Sequence, residues 1–375
     1  GMRVIKDKDG VRNTQNSCPS FMLTLDGRPD EQHGMVIGGT LAWSGNYRIA
    51  IDNDNAHTTR IFAGINEDQS QYILEPKEVF TTPVFAFTFS DEGKGGVSRN
   101  FHRWARLHRL NHGGEQRSIL LNSWEGVSMN VNQEVMDQMM ADFAAMGGEM
   151  FVMDDGWFGH RDSDNSSLGD WFVYEKKLKG GLKYLVDEVN KLGMKFGIWF
   201  EPEMISPDSE LYKAHPDWAI QIKGRPLTLC REQYVLDYSR KEVRDHVYGM
   251  MKKILDSANI EYIKWDMNRQ LTDMPRLGYN HEYTLGYYKI MSAITEKFPN
   301  ILFEGCSAGG GRFDAGVLAY MPQIWTSDNS DAIARLKMQY STSMCYPVYS
   351  ISSHVTASPN HQCGRDTSLK TRADV

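Results

Sequence analysis

Tyr262-Ile263-Lys264-Trp265-Asp266-Met267-Asn268-Arg269 is the stretch from which the fold can be worked out. It is short, starts apolar and lies between two helically patterned segments, which predicts a buried parallel strand of an α/β protein. Its far end carries Lys264, Asp266 and Asn268. Alternate residues of a strand point to one face, so this strand aims a cation, a carboxylate and an amide the same way. A neighbouring Lys264 would hold the Asp266 carboxylate ionised. An ionised, positioned Asp at the C-terminal end of a strand is what a nucleophile requires. Taken alone, Lys-x-Asp reads more readily as a structural ion pair closing the strand. The surrounding chain weighs against that plainer view.

From residue 118 onward, strand-like and helix-like segments alternate. Strands are expected at 119–124, 150–153, 195–200, 262–269, 301–303, 323–326 and 348–355, with an extended stretch at 227–236. Helices are expected at 131–146, 182–192, 283–298 and 331–344, with a short one at 313–320. Val135, Met139, Phe143 and Met146 form the stripe of the first helix, and Leu182, Leu185, Val186, Val189 and Leu192 that of the second, which Gly193 stops. Ser239-Arg240-Lys241-Glu242 has the form of a capping box opening a helix to about residue 258, with Val243, Val247, Met250, Met251, Ile254 and Leu255 inward. Seven or eight such units predict a (β/α)8 barrel of the TIM type over 117–375. No helix is expected after the last strand, so the barrel would lack its closing element.

Residues 1–98 differ in character. A hairpin is expected from 36–43, a turn at 44–46 and 47–51, with further strands at 58–65, 70–74 and 79–90. This is an all-β, sandwich-like region with no catalytic constellation. A loop at 91–96 and a helical linker within 99–116 join it to the barrel.

The chain of 375 residues is 41% hydrophobic and 24% charged with a net charge of −7, so nothing points to nucleic acid or an anionic membrane surface. No run is long and apolar enough to span a bilayer. Five cysteines, odd in number and without zinc spacing, read as free thiols and place the protein in a reducing compartment, the cytoplasm. A signal peptide absent from this sequence would reverse that expectation. The histidines show no metal-binding spacing, and no metal or cofactor is expected. The twenty methionines fit core filling, and most of the nine tryptophans fit packing.

Active sites of such barrels lie at the C-terminal ends of the strands, where this sequence concentrates its unusual residues. Trp124-Glu125, Asp154-Asp155-Gly156-Trp157, Trp199 with Glu201-Pro202-Glu203, Arg231, Lys264-Asp266-Asn268, Glu304 through Arg312, and Ser327-Asp328-Asn329 each follow a strand. One carboxylate at a strand end is unremarkable, because strand ends face water. Carboxylates, tryptophans and arginines at one strand end after another suggest sugar chemistry: carboxylates accept from hydroxyls and indoles stack on the sugar ring. Glycoside hydrolysis uses two carboxyl groups, one ionised and one protonated. The residues alone leave the acid open among Asp328, Glu201, Glu203 and Glu304. The glycines after Cys306 lack phosphate-loop spacing and are expected to let backbone approach a ligand.

The segments Phe151–Gly159, Lys195–Met204, Lys264–Arg269 and Trp325–Ala332, with Trp43-Ser44-Gly45-Asn46 in the β region, resemble glycoside hydrolase family 36 α-galactosidases of the bacterial type. The resemblance runs over nearly the whole chain. It implies a retaining double displacement with Asp266 as nucleophile and Asp328 as acid/base. It further implies that Asp154 and Asp155 bind galactose O4 and O6, that Trp199, Arg231, Lys264, Asn268 and Cys306 line the galactose subsite, and that Trp124 forms a wall. Gly156 would permit the turn by which Asp154 and Asp155 reach one ligand. Ala308 stands where many relatives have Gly. The resemblance also implies a longer N-terminal β domain and a C-terminal β domain that this sequence lacks, as expected of a fragment.

The expected function is hydrolysis of terminal α-D-galactosides of the melibiose and raffinose type, with a homotetramer possible for the full-length protein and neither nucleic acid nor membrane as partner. Rival readings are an α-N-acetylgalactosaminidase or a galactosyl transferase on the same fold, and a sugar-binding barrel without turnover. Cys306 in the Cys-Ser-x-Gly-Gly-Gly stretch favours the plain galactosidase, because a 2-acetamido group needs room there. A retaining pair would stand about 5–5.5 Å apart.

Overall fold

A computed structural model describes residues 1–6, 10, 17–68 and 71–375. The chain divides into two compact units, Gly1–Glu115 with Arg276–His281 and Gly305–Val375, and Gln116–Pro275 with Glu282–Glu304.

The first unit opens with six strands, β1 (Met2–Lys6), β2 (Ser20–Thr24), β3 (Val36–Ala42), β4 (Tyr47–Asn53), β5 (Thr59–Ile65) and β6 (Val84–Ser90), followed by helix α1 (Gly93–His108). They form two antiparallel sheets, ordered β1-β4-β5 and β2-β3-β6. The expected hairpin between β3 and β4 is therefore not formed. Each strand pairs elsewhere, and residues 43–46 carry the chain from one sheet to the other. The reason is tertiary: these residues are buried, Ser44 Oγ donates to Asp314 Oδ1 at 2.8 Å, and the Trp43 ring stacks on His281. An anchored segment replaces a solvent-exposed turn. Of the strand expected at 70–74, residue 70 lies outside the described residues and the remainder is irregular. The loop expected at 91–96 is already helical from Gly93. Helix α1 lies close against β3 because position 38 is glycine: a Cβ there would stand 2.3 Å from Val97 Cγ1 and 2.7 Å from Phe101 Cε2.

The second unit carries the parallel sheet. In chain order it contains β7 (Leu120–Asn122), α2 (Trp124–Val127), α3 (Gln133–Ala145), β8 (Met150–Met153), α4 (Gly181–Lys191), β9 (Lys195–Phe200), β10 (Met204–Ile205), α5 (Glu210–Ala214), β11 (Tyr234–Val235), α6 (Lys241–Leu255), β12 (Tyr262–Trp265), α7 (Tyr279–Lys297) from Glu282 onward, and β13 (Leu302–Gly305) as far as Glu304. Strands β7, β8, β9 and β12 pair in parallel, each with the next. All of β8 and β12 is buried, as befits strands covered on both faces. Helix α4 buries Leu182, Leu185, Val186 and Val189 and ends at Gly193, whose φ is +80°.

Several expectations are corrected here. On α3 the fully buried residues are Met136 and Met140, and Met146 is exposed. The expected stripe was one residue out of phase with the core. The helix after Ser239 has Arg240 as its cap, without a side-chain hydrogen bond. Asp237 holds the Ser239 hydroxyl at 2.6 Å and Arg240 holds the Glu242 carboxylate at 2.8 Å, which diverts both members of the expected capping box. Within the extended stretch at 227–236, Arg231 and Glu232 make a turn bridged by Cys230 and Gln233, β11 pairs antiparallel with β10, and Leu236 bridges Ala219.

The first unit resumes with β14 (Gln323–Ile324), α8 (Ala332–Ser343) and α9 (Leu369–Asp374). Asp331 caps α8 by accepting from the Ala334 N–H at 3.0 Å. The strand expected at 348–355 is reduced to a 3-10 turn at Val348–Ser350 and one bridge between Ile351 and Ile324. Pro347 initiates that turn, its carbonyl accepting from both the N–H and the hydroxyl of Ser350. The six-residue α9 then stands where no helix was expected.

Candidate active site

Sheet register explains how the second unit assembles its polar cluster. Met153 pairs with Ile198, Lys264 with Trp199, and Trp265 with Phe200. One step further, Asp154, Trp199 and Lys264 lie in one row across β8, β9 and β12. The next row places Glu201 beside Asp266, whose N–H donates to the Phe200 carbonyl at 2.8 Å and extends the pairing past the strand.

In the first row, Lys264 Nζ reaches over the intervening strand to Asp154 Oδ2 at 2.9 Å. That carboxylate also accepts from Asn122 Nδ2 at 2.6 Å. The ion pair expected along the strand, Lys264 with Asp266, gives way to one across the sheet. In the second row, Asp266 is 6% exposed and accepts from Trp199 Nε1 at 3.3 Å and from the Met267 N–H at 2.9 Å. A carboxylate held by an indole and a backbone donor is oriented yet keeps lone pairs free for chemistry.

Asn268 is partly buried and faces Glu201 through two contacts. Its backbone N–H donates to Glu201 Oε1 at 2.6 Å and its Nδ2 to Oε2 at 3.0 Å. Burial, followed by the charge of Asp266, pushes the Glu201 carboxyl up to about 8. Glu203 plays a different part: Trp265 Nε1 at 2.9 Å and Tyr283 Oη at 3.1 Å tie it into the packing.

Asp155 follows Asp154, and Gly156, at φ +107°, makes the turn. Burial raises the Asp155 carboxyl, opposed by the Arg161 charge. Arg161 grips Asp155 with Nε at 3.0 Å and Nη2 at 2.8 Å, while its Nη1 donates to the carbonyls of Asp164 and Ser166. Asp164 in turn stands 3.6 Å from Arg231, which is at φ +53° in the turn between Cys230 and Gln233. The buried Arg269 pins that turn by donating to the carbonyls of Thr228 and Gln233. Trp124 begins α2, partly exposed, with its N–H held by Asn122 Oδ1 at 2.8 Å.

The first unit holds Cys306 and Asp328. Cys306 is buried. Asp328 Oδ1 accepts from Trp325 Nε1 at 2.9 Å, and the Trp325 ring stacks on His354 with centroids 4.2 Å apart. Two of the glycines after Cys306 lie close against neighbouring backbone. A Cβ on Gly309 would stand 2.8 Å from the Asp328 nitrogen, and one on Gly310 2.4 Å from the Thr326 carbonyl oxygen. They admit the 326–328 backbone.

Sequence reasoning assigned no role to Arg161 or Arg269 and left Glu201 only as a candidate acid. An arginine six residues past a strand-end Asp carries no motif. Arg269 stood inside the quoted stretch, and its position just beyond a buried strand was the available signal.

Comparison with known proteins follows this geometry. Residues 79–375 match the melibiase family and residues 1–75 match the glycosyl hydrolase family 36 N-terminal domain. The chain belongs to glycoside hydrolase family 36. It is 44% identical to α-galactosidase AgaA of Geobacillus stearothermophilus and 45% identical to α-galactosidase Mel36A of Lactobacillus acidophilus, in both cases over 100% of this chain and 52% of the relative. The crystal structure of the Lactobacillus brevis α-galactosidase superposes with a TM-score of 0.96 at 41% identity, covering 100% of this chain and 51% of that one. Solved structures of AgaA variants, one in complex with raffinose and one with stachyose, each match at TM-score 0.94 and 44% identity over 99% of this chain and 53% of theirs. The fold is a TIM-type barrel following an N-terminal sheet domain. The chain spans about half the length of the curated relatives it matches.

Proposed function

We propose that this chain is the catalytic part of a retaining α-galactosidase that removes terminal α-D-galactose from oligosaccharides of the melibiose and raffinose type. One observation carries the proposal: the likeness to proteins named α-galactosidases extends over the whole chain at 44–45% identity. The AgaA structures with raffinose and stachyose support the substrate class. Residues 117–375 carry the chemistry, and residues 1–98 are the end of an N-terminal β domain.

Asp266 attacks C1 of the galactoside and the bond to the leaving oxygen breaks. Asp328 gives that oxygen its proton, then takes one from the water that hydrolyses the galactosyl ester. Its hydrogen bond from Trp325 orients the carboxylate. Asp154, tied to Lys264, accepts from sugar hydroxyls together with Asp155, held by Arg161. Trp199 orients Asp266, and Asn268, Arg231, Cys306 and Trp124 complete the sugar contacts. The reaction involves no metal or cofactor. Five free thiols support a cytoplasmic location. A homotetramer is a state open to the full-length protein, which light scattering on that protein would check.

Proton NMR of the fresh product tests the stereochemistry. With 4-nitrophenyl α-galactoside the first product should be α-galactose, and the matching α-N-acetylgalactosaminide should remain intact. β-Galactose as first product would contradict the double displacement.

A further inference from the structure

Glu201 is 1% exposed, yet none of the roles above uses its charge. It lies at the end of β9 beside Asp266, and both its oxygens accept from Asn268, at 2.6 and 3.0 Å. That grip fixes the chain two residues beyond Asp266, where the strand has ended and no ladder holds it. The groups facing Glu201 are Asp266 and Asn268 from the end of β12, and the charges of Arg161 and Arg231 from the loops after β8 and β10. Asp155 neutralises Arg161 at 2.8 Å, and Arg231 is 41% exposed. The near, unshielded charge is therefore that of Asp266. A protonated carboxyl can still accept at both oxygens, so the grip on Asn268 survives protonation.

We infer that Glu201 is the positioning residue for Asp266 and Asn268, and that it works in its protonated form, setting no second negative charge against Asp266. Ionised, Glu201 would set a second carboxylate against Asp266 in a buried place and push it off its Trp199 and Met267 donors. The reaction then acquires an alkaline limit that belongs to a buried positioning group. The kinetic consequence rests on the α-galactosidase reading, whereas the shared titration does not.

The test uses the intact chain with 13C at the glutamate carboxyls. One resonance should titrate near pH 8, vanish in Glu201→Gln, and move down by about one pH unit in Asp266→Asn, where the neighbouring charge is gone. Asp266→Asn carries this arm even if Glu201→Gln does not fold. No glutamate titrating above about pH 6, or no movement in Asp266→Asn, would overturn the inference.

In the kinetic arm, Glu201→Gln should lower kcat by about 10- to 100-fold, with a similar loss for good and poor leaving groups. It should also abolish the alkaline limb of kcat/KM. A loss confined to poor leaving groups would make Glu201 the acid and contradict the positioning role. An unchanged alkaline limb would reduce Glu201 to a structural clamp. If the parent hydrolyses no α-galactoside, the proposed function fails while the NMR arm still decides whether the two carboxyls are coupled.

Discussion

At the scale of single residues, the unexpected placements concern partners more than identities. Lys264 was read as the neighbour of Asp266 along the strand, and the structure pairs it with Asp154 across the sheet. Residues i and i+2 of a strand are about 6.5 Å apart, while a lysine stem is long enough to cross an intervening strand. Sequence patterns report along-chain spacing and not cross-strand register, so this partner was out of reach. Arg161 was missed because an arginine six residues past a strand-end Asp forms no motif. Its bidentate bond to Asp155 is buried, and Arg161→Ala should cost about 3–5 kcal/mol in denaturant unfolding by leaving that charge unpaired; a loss below about 1 kcal/mol would contradict the grip. Ala308 sits at φ +46°, a region costly for any residue with a Cβ. Ala308→Gly should raise stability by about 0.5–1 kcal/mol, the left-handed strain removed less the greater chain entropy of glycine. Thermal unfolding would check it.

At the scale of elements, periodicity was legible wherever the core decides it. The β9 boundaries were read from sequence alone, and α4 buries four of its five expected stripe residues. Leu185 is fully buried there, and Leu185→Ala should cost about 2–5 kcal/mol by opening a cavity. Position 38 tests the opposite error. Gly38→Val would drive a side chain into Val97 and Phe101 and should destabilise by about 1–3 kcal/mol, measured the same way. The β3–β4 hairpin and the Ser239 capping box were misread because the local signals were sound but tertiary partners took the groups. Asp314 claims Ser44 from 270 residues away, and no window along the chain contains both.

At the scale of the molecule, the order of β region then barrel was readable because a period of two gives way to alternating strands and helices. The strand ends could be listed, but what separates a structural carboxylate from a reactive one is burial and partners, which only the fold supplies. One global consequence is a pH dependence. Glu201 titrates near 4.5 when unfolded and about 8 when folded. Its protonated form therefore stabilises the fold fully below about pH 4.5, and that contribution is lost as pH rises towards 8. Over that window the chain should lose about 1.4 kcal/mol of stability per pH unit through this group, a slope that Glu201→Gln removes. The central claim is that Asp266 is the nucleophile of an α-galactosidase, and it is met most directly by hydrolysis of 4-nitrophenyl α-galactoside by the chain and by Asp266→Asn. The expected result is turnover by the parent and a loss in the variant beyond the roughly 10²–10⁴-fold typical of a missing acid or base. An active parent whose Asp266→Asn variant keeps more than about a hundredth of its rate would contradict it.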